Sequence, residues 1–332
     1  MPKGATWIKK AASAFRPDAN QVECADGSVY EYDALIVCPG IQLDWDKMTG
    51  LTDTLGRDGV SSNYRYDLAP KTWEFIRGTT SGSAVFTMPS GPIKCAGAPQ
   101  KIAYLAADYW KSQGLLGKID LHLVIPTPRA FGIPEIADEL DKVIAGYGIH
   151  LHTQAEVTSV DSANHTVTVT NLGEANGTST LPYDLLHVVP RQSAPDWVKS
   201  SPLSTGEGPG YVEVDKHTHQ HVRYPNVFSL GDAGSTPNSK TGAAIRKQAP
   251  VVVENVDSYL SGRALTAEYH GYASCPLTTS RQAMLLAEFD YSMKRTPSIP
   301  VINTVKPRRD MWYLKKYGLP FLYWNLMLKG LA

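Results

Sequence analysis

Val227-Phe228-Ser229-Leu230-Gly231-Asp232-Ala233, running on through residues 234–240 to Thr241-Gly242-Ala243-Ala244, is the stretch on which the reading of the chain turns. Residues 227–230 form a short apolar strand in this reading. Gly231 lets the backbone approach a ligand closely, and Asp232 projects a carboxylate from the strand's carboxyl end, where open α/β sheets bind ligands. Such a carboxylate suits a polyol hydroxyl. The loop then turns through Pro237-Asn238-Ser239 into a helix opening at Thr241. Its first N–H groups and positive dipole end face whatever Asp232 holds, and Lys240 adds a full charge. A bare Gly-Asp after a strand also fits an ordinary strand-to-helix turn, so the remaining segments have to decide.

Composition sets the bounds. A chain of 332 residues accommodates two domains with sizeable cores. Hydrophobic residues at 42% against 19% charged ones describe a globular protein, and 32 basic against 32 acidic residues leave no net charge to draw it to nucleic acid. Cys24, Cys38, Cys95 and Cys275 are too few for a disulfide scaffold and lack zinc-site spacing, so any pair among them reads as redox-active. Three ways of pairing all four remain open.

Residues 6–9, 21–24, 29–32 and 34–37 read as short strands, the last ending at Cys38-Pro39-Gly40. Together with the Asp232 turn, this arrangement resembles the flavoproteins built from two dinucleotide-binding domains. In that class the Asp meets the FAD ribitol, the helix start faces the flavin's pyrimidine edge, and a β-meander closes with a glycine-ended turn. Tyr32-Asp33-Ala34-Leu35-Ile36-Val37-Cys38-Pro39-Gly40 looks like that closing segment, with Cys38-Pro39 in place of the usual small residues. No G-x-G-x-x-G turn lies upstream of Gly40, so the first domain is expected to lack its N-terminal half.

Residues 84–88 form the next expected strand, leading through Pro89 and Lys94-Cys95-Ala96-Gly97-Ala98-Pro99 to a helix over 100–111. A helix start and the adjacent Lys94 both favour a thiolate, which makes Cys95 a candidate reactive residue; a small buried residue is the alternative. A strand at 120–125, a helix at 136–145 and strands at 149–160 and 166–170 follow. The turn between the first two reads Pro126-Thr127-Pro128-Arg129-Ala130-Phe131-Gly132-Ile133-Pro134, and a single glycine among prolines does not make a pyrophosphate turn. A polar turn at 173–180, a strand at 185–189 and a linker over 191–210 come next. His217, His219 and His221 alternate as strand-borne metal ligands would, but no carboxylate or cysteine completes the set, so an exposed turn is preferred and no metal is expected. Cys275-Pro276 reads as a turn entering the apolar run 283–289. Cys95 and Cys275 are thus expected in exposed turns, with Cys24 and Cys38 on strands. Near the end, Arg308, Arg309, Lys315 and Lys316 alternate with Trp312, Tyr313, Tyr317, Phe321, Tyr323 and Trp324 in a stretch too short to span a bilayer and interrupted by Gly318 and Pro320, a pattern suited to a membrane interface.

Taken in order, Trp7-Ile8-Lys9, Gly40-Ile41-Gln42-Leu43, Lys94 through Lys101, Tyr224-Pro225-Asn226-Val227-Phe228, Ser239-Lys240-Thr241, Gly271-Tyr272, Ser274-Cys275-Pro276-Leu277, Leu286-Ala287-Glu288-Phe289-Asp290-Tyr291 and Pro320-Phe321-Leu322-Tyr323-Trp324-Asn325 resemble the sulfide:quinone oxidoreductase family, in its mitochondrial-type branch. The resemblance implies an α/β flavoprotein with two Rossmann-like domains. It divides the chain into a FAD-binding domain over 1–80 and 200–265, a second, NAD-like domain without a nicotinamide fingerprint over 81–199, and a membrane-associating C-terminal region over 266–332. It implies that Cys95 and Cys275 are the redox pair, cycling between disulfide and persulfide. It also implies that Ala12, Gly40, Asp232, Lys240, Thr241, Gly242 and Ala243 contact FAD. Partners would be sulfide, a membrane quinone and a sulfane-sulfur acceptor (sulfite, glutathione, coenzyme A or sulfide), with the protein peripheral to the inner membrane of a bacterium or mitochondrion. Glu288, in a family-like segment, has no assigned role. Two rival readings are a type II NADH:quinone dehydrogenase, which calls for a glycine fingerprint near 125–134, and an inactive fragment unable to retain FAD.

Overall fold

The computed structural model describes residues 2, 4–173 and 177–331. Of the polar turn expected at 173–180, residues 174–176 lie outside that set. The chain forms two compact units, one of residues 1–42, 193–238 and 244–271, the other of residues 43–192, 239–243 and 272–332.

The first unit contains an antiparallel meander of the strands Ala12–Arg16, Gln21–Cys24 and Val29–Glu31, and a parallel pair formed by Leu35–Val37 and Val227–Ser229. The pair is the apolar strand of the Asp232 turn lying beside the strand that runs up to Cys38. Ser229 sends its hydroxyl to the Val37 carbonyl at 2.7 Å, so its one polar side chain is satisfied inside the pair. The expected strand at 6–9 is absent because Trp7 and Ile8 find no core and stay exposed. The strand that opens the meander is Ala12–Arg16 instead, in which Phe15 carries the burial. Residues 191–210 are more than a linker: Ala194, Val198 and Leu203 are fully buried in this unit's core with Phe15, Val37 and Val212. The helix Gly242–Leu260 runs through Pro250.

The second unit is built, among the described residues, on a parallel five-stranded sheet in the order Val60–Ser61, Leu185–His187, Gly82–Thr87, Ile119–Val124, His150–His152. Strand, helix and neighbouring parallel strand alternate through the helices Ala98–Ser112 and Pro134–Tyr147, the arrangement that places ligands at the strands' carboxyl ends. An antiparallel meander of Ala155–Asp161, Thr166–Asn171 and Thr178–Pro182 precedes the return strand at 185–187. Residues 43–80, grouped by the sequence with the cofactor-binding half, cluster here instead, because Val60–Ser61 pairs at the sheet edge with Leu186 and His187. Trp110, fully buried, anchors the helix Ala98–Ser112 and donates its indole N–H to the Ile76 carbonyl at 2.9 Å.

The hairpin Ala273–Ser280 with Ala283–Phe289 packs against that same helix. Helical turns then continue from Arg309 to Asn325, with a widened turn at Leu314–Gly318. Gly318 and Pro320 interrupt the apolar run in sequence without breaking the helical course, Pro320 lying in the first turn of Leu319–Asn325, where its missing N–H is tolerated. No helix among the described residues is long and apolar enough to cross a membrane.

Candidate active site

Cys95 ends the loop that leaves the carboxyl end of the strand Gly82–Thr87, three residues before the helix Ala98–Ser112. Its backbone is left-handed, with φ at 73°, an unusual conformation for a residue with a side chain and one that clusters at functional sites. Cys275 comes from the hairpin, and its sulfur lies 3.7 Å from that of Cys95, both as free thiols. Gly97 makes this approach possible, because a Cβ there would collide with the Leu277 side chain two residues beyond Cys275.

The two cysteines are not in the same kind of place. Cys95 lies in a loop as expected but is half-buried rather than exposed, whereas Cys275 is fully buried within the strand Ala273–Ser280. Pro276 does not break that strand. Opposite it, Leu286 sends its N–H away to Thr304, so position 276 faces outward in the ladder and no inter-strand bond needs a proline N–H. Cys24 lies on its strand as expected, but Cys38 follows one and is exposed.

Charge separates the two sulfurs further. The Cys275 thiol donates toward Cys95 and holds the Cys95 thiol well below its usual range against the cost of burial; the Lys101 ammonium, 3.8 Å away, and the Gly97 N–H act in the same direction. Cys275 moves the opposite way, held protonated by that hydrogen bond, by burial and by its neighbour's charge. Ser239 brings its hydroxyl to 4.0 Å from the Cys275 sulfur. Lys315 belongs to the same charged neighbourhood: burial and the Lys101 charge push its ammonium down, and Cys95 opposes the shift.

Lys94, which the sequence sets beside Cys95, has its ammonium 5.5 Å from the centre of the Tyr64 ring instead. Its backbone pairs with Lys240, drawing the Ser239-Lys240-Thr241 segment to the loop that carries Cys95. Tyr64 Oη and Gln192 Nε2 are both buried and lack a hydrogen-bond partner. Tyr64 lies close enough to feel the Cys95 charge, and the other end of the Gln192 amide accepts the Lys94 N–H at 2.8 Å. Two buried polar atoms left in this state suit a polar group bound at the loop.

Lys240 and Thr241 are buried, Gly242 is exposed and Ala243 half-buried at the helix start. In the first unit, Asp232 is half-exposed just past Val227–Ser229, and Gly231 adopts φ 69° while its N–H donates to Gln248 at 2.9 Å. Gly40 also has positive φ and is half-exposed, and Ala12 is exposed at the start of the meander. Glu288 pairs with Ser274, not Cys275, so it lies on the other face of the hairpin, where Tyr272 and Ser298 donate to it.

His219 and His221 are buried and bonded to the carbonyls of Ser229 and Leu203, each at 3.1 Å, rather than exposed in a turn. The alternating trio is therefore not a ligand set. Lys101 was legible as a cation in the first turns of the helix after Cys95, whereas Lys315, Tyr64 and Gln192 gave no local signal because only the tertiary fold brings them near.

No protein-family model matches the sequence. The chain is 40% identical over 331 residues, 99% of its own length and 72% of the relative's, to the sulfide:quinone oxidoreductase, mitochondrial, of Dictyostelium discoideum. It is 36% identical over 330 residues, 99% of its length and 73% of the relative's, to the protein of that name from Mus musculus. The X-ray structure of the sulfide:quinone oxidoreductase from the hyperthermophilic bacterium Aquifex aeolicus matches with a TM-score of 0.79 over 97% of this chain and 75% of that one, at 18% identity, a likeness of fold.

Proposed function

Because this chain belongs to the sulfide:quinone oxidoreductase family, we propose that it oxidises sulfide through Cys95 and Cys275, with FAD passing the electrons to a membrane quinone. The observation that carries this reading is the pair of sulfurs 3.7 Å apart, one of them beside an ammonium. In the oxidised pair, HS⁻ attacks one sulfur, the S–S bond breaks and the other sulfur leaves as a thiolate, giving a cysteine persulfide and a thiolate. The Lys101 ammonium 3.8 Å from the Cys95 sulfur favours negative charge there as the bond breaks, which assigns the departing thiolate to Cys95 and the persulfide to Cys275. An acceptor nucleophile (sulfite, glutathione, coenzyme A or a second sulfide) then takes the outer sulfur and frees Cys275. Re-forming the bridge releases two electrons. When bound, FAD supplies the two-electron relay from the dithiol to quinone.

We assign the holding of FAD to Ala12, Gly40, Asp232, Lys240, Thr241, Gly242 and Ala243. Asp232 suits a ribitol hydroxyl, and the Lys240 charge and the helix start at Gly242 favour negative charge on the ring system. The unpartnered Tyr64 and Gln192 atoms support a polar group at the cysteine loop. Exposed Tyr317, Phe321, Tyr323 and Trp324 beside Lys315 and Lys316 support a peripheral seat on an inner membrane, bacterial or mitochondrial.

The test is an anaerobic absorbance titration of FAD-loaded protein. Sulfide is expected to bleach the flavin in the parent and in Cys24→Ser, and to leave Cys95→Ser and Cys275→Ser oxidised. Bleaching by NADH alone would replace this reading with a dehydrogenase, and failure to load FAD at all would make the chain a fragment without activity.

A further inference from the structure

Within the first unit, the loop that carries His217 runs beside residues 267–270. Tyr269 donates its N–H to the His217 carbonyl at 2.8 Å and is itself buried, so Glu268 and His270 flank it on the outer side. Ligand atoms of His217, Glu268 and His270 all lie within 4.8 Å of one another. We propose that these three side chains form a binding site for a divalent transition-metal ion, zinc being the ion they suit.

Three observations converge on it. The His217 Nδ1 lies 3.1 Å from the Tyr269 carbonyl, which can only accept, so the ring proton sits on Nδ1 and the lone pair on Nε2. Metal-ligating imidazoles are commonly fixed in this way by a carbonyl on the far nitrogen. The buried Asn255 of the helix Gly242–Leu260 then clamps both ligand-bearing segments: its amide donates to the carbonyls of Thr218 (3.0 Å) and Ala267 (2.9 Å) and accepts the Ala267 N–H. Finally, Asp215 accepts the His217 N–H at 2.9 Å and brings a second negative charge near the cluster.

Two imidazoles and a carboxylate form a borderline donor set, and three protein ligands leave the fourth tetrahedral position to water. Zn–N bonds of about 2.0–2.1 Å place tetrahedral ligand atoms roughly 3.3 Å apart. Closing from the observed spacing of up to 4.8 Å falls to Glu268 and His270, whose side chains are exposed. Bound there, the ion would cross-link the loop at 217 to the segment that follows the long helix.

The test titrates the chelator-stripped full chain with Zn²⁺ against a chromophoric competitor and repeats it with Co²⁺. One equivalent of zinc is expected, with affinity lowered about tenfold or more in His217→Ala and in His270→Ala and less in Glu268→Gln. The cobalt spectrum should lack thiolate charge-transfer bands. His270 is exposed, so its alanine variant should keep the parent's melting temperature without metal and lose only the rise that zinc produces. Absence of zinc binding, undiminished binding in His270→Ala, or thiolate bands in the cobalt spectrum would overturn the proposal.

Discussion

The turn after the strand Gly82–Thr87 and the turn after its neighbour Ile119–Val124 occupy equivalent places at the carboxyl ends of one parallel sheet, and each leads into a helix. The first holds a polar site. It carries Cys95 in a left-handed conformation, with Lys101 close by and two unpartnered polar atoms around it. The second is filled with carbon: Ala130, Phe131 and Ile133 are buried, Phe131 meets Phe289 edge to face at 5.7 Å, and Gln100 donates to the Ala130 carbonyl. In a dinucleotide-binding unit the phosphates rest at the first strand–helix turn, and in this run of parallel strands that is the turn after Gly82–Thr87, which Ile119–Val124 and His150–His152 follow in chain order. Topology therefore offers a ligand the turn that carries Cys95, while the side chains of the neighbouring turn are spent on holding the domain together.

The largest effect that would break this comparison comes from emptying the filled turn. Phe131→Ala removes a buried ring from the core and should lower stability by about 3–5 kcal/mol, read from urea unfolding. It should confer no NADH-dependent flavin reduction. If the variant were as stable as the parent, the turn would not be part of the core, and the contrast with the Cys95 turn would fail.

This contrast also shows what could be read before the fold was known. The turn at 126–134 drew the reading of a fingerprint's place because its prolines stand out in a line of sequence, whereas only the sheet order shows that the first strand–helix turn is the one after Gly82–Thr87. Cys95 was legible because Pro99 and the following periodicity mark a helix start. Cys275 was misplaced in an exposed turn because Cys-Pro reads locally as a break. Only the pairing with 283–289 reveals that position 276 faces outward, where a proline costs no ladder bond. Likewise Glu268 was not visible as a neighbour of His217, since it is distant in sequence and arrives through Asn255 and the pairing of Tyr269.

A smaller effect tests what holds the reactive turn in place. Glu156 lies nearly buried beneath it, bound to Arg191 through both carboxylate oxygens, at 2.9 and 2.7 Å, and accepting the Ser90 hydroxyl. Burial works against its ionisation, but Arg191 and Ser90 outweigh it and hold the carboxyl below its usual range. A depressed carboxyl contributes stability above its unfolded value, about 4.3, and loses it as pH falls through the folded value. Glu156→Gln should therefore cost about 1.5–3 kcal/mol near neutrality. The difference should shrink as urea unfolding is repeated below about pH 4. A pH-independent difference would mean that shape, not charge, secures the turn.

The smallest effect concerns the polar character of the Cys95 turn itself. Three partners hold its thiol low: Cys275 through its hydrogen bond, Lys101 through its positive charge, and the Gly97 N–H. Lys101→Met keeps the first, the third and the side-chain volume while deleting the second, so the thiol should titrate higher, and one pKa unit corresponds to about 1.4 kcal/mol and tenfold in thiolate fraction. Thiolate is the reacting form, so alkylation of reduced protein by iodoacetamide should slow by up to about tenfold at pH 6–7 and converge with the parent in alkaline buffer. The measurement belongs in a Cys38→Ser background, since Cys38 is exposed and would react as well. Convergence at high pH separates this outcome from mere loss of access, which would slow alkylation equally at every pH. A profile that did not move would assign the low thiol to Cys275 and the Gly97 N–H, and the difference between the two turns would then rest on hydrogen bonds to the sulfur rather than on the charge around it.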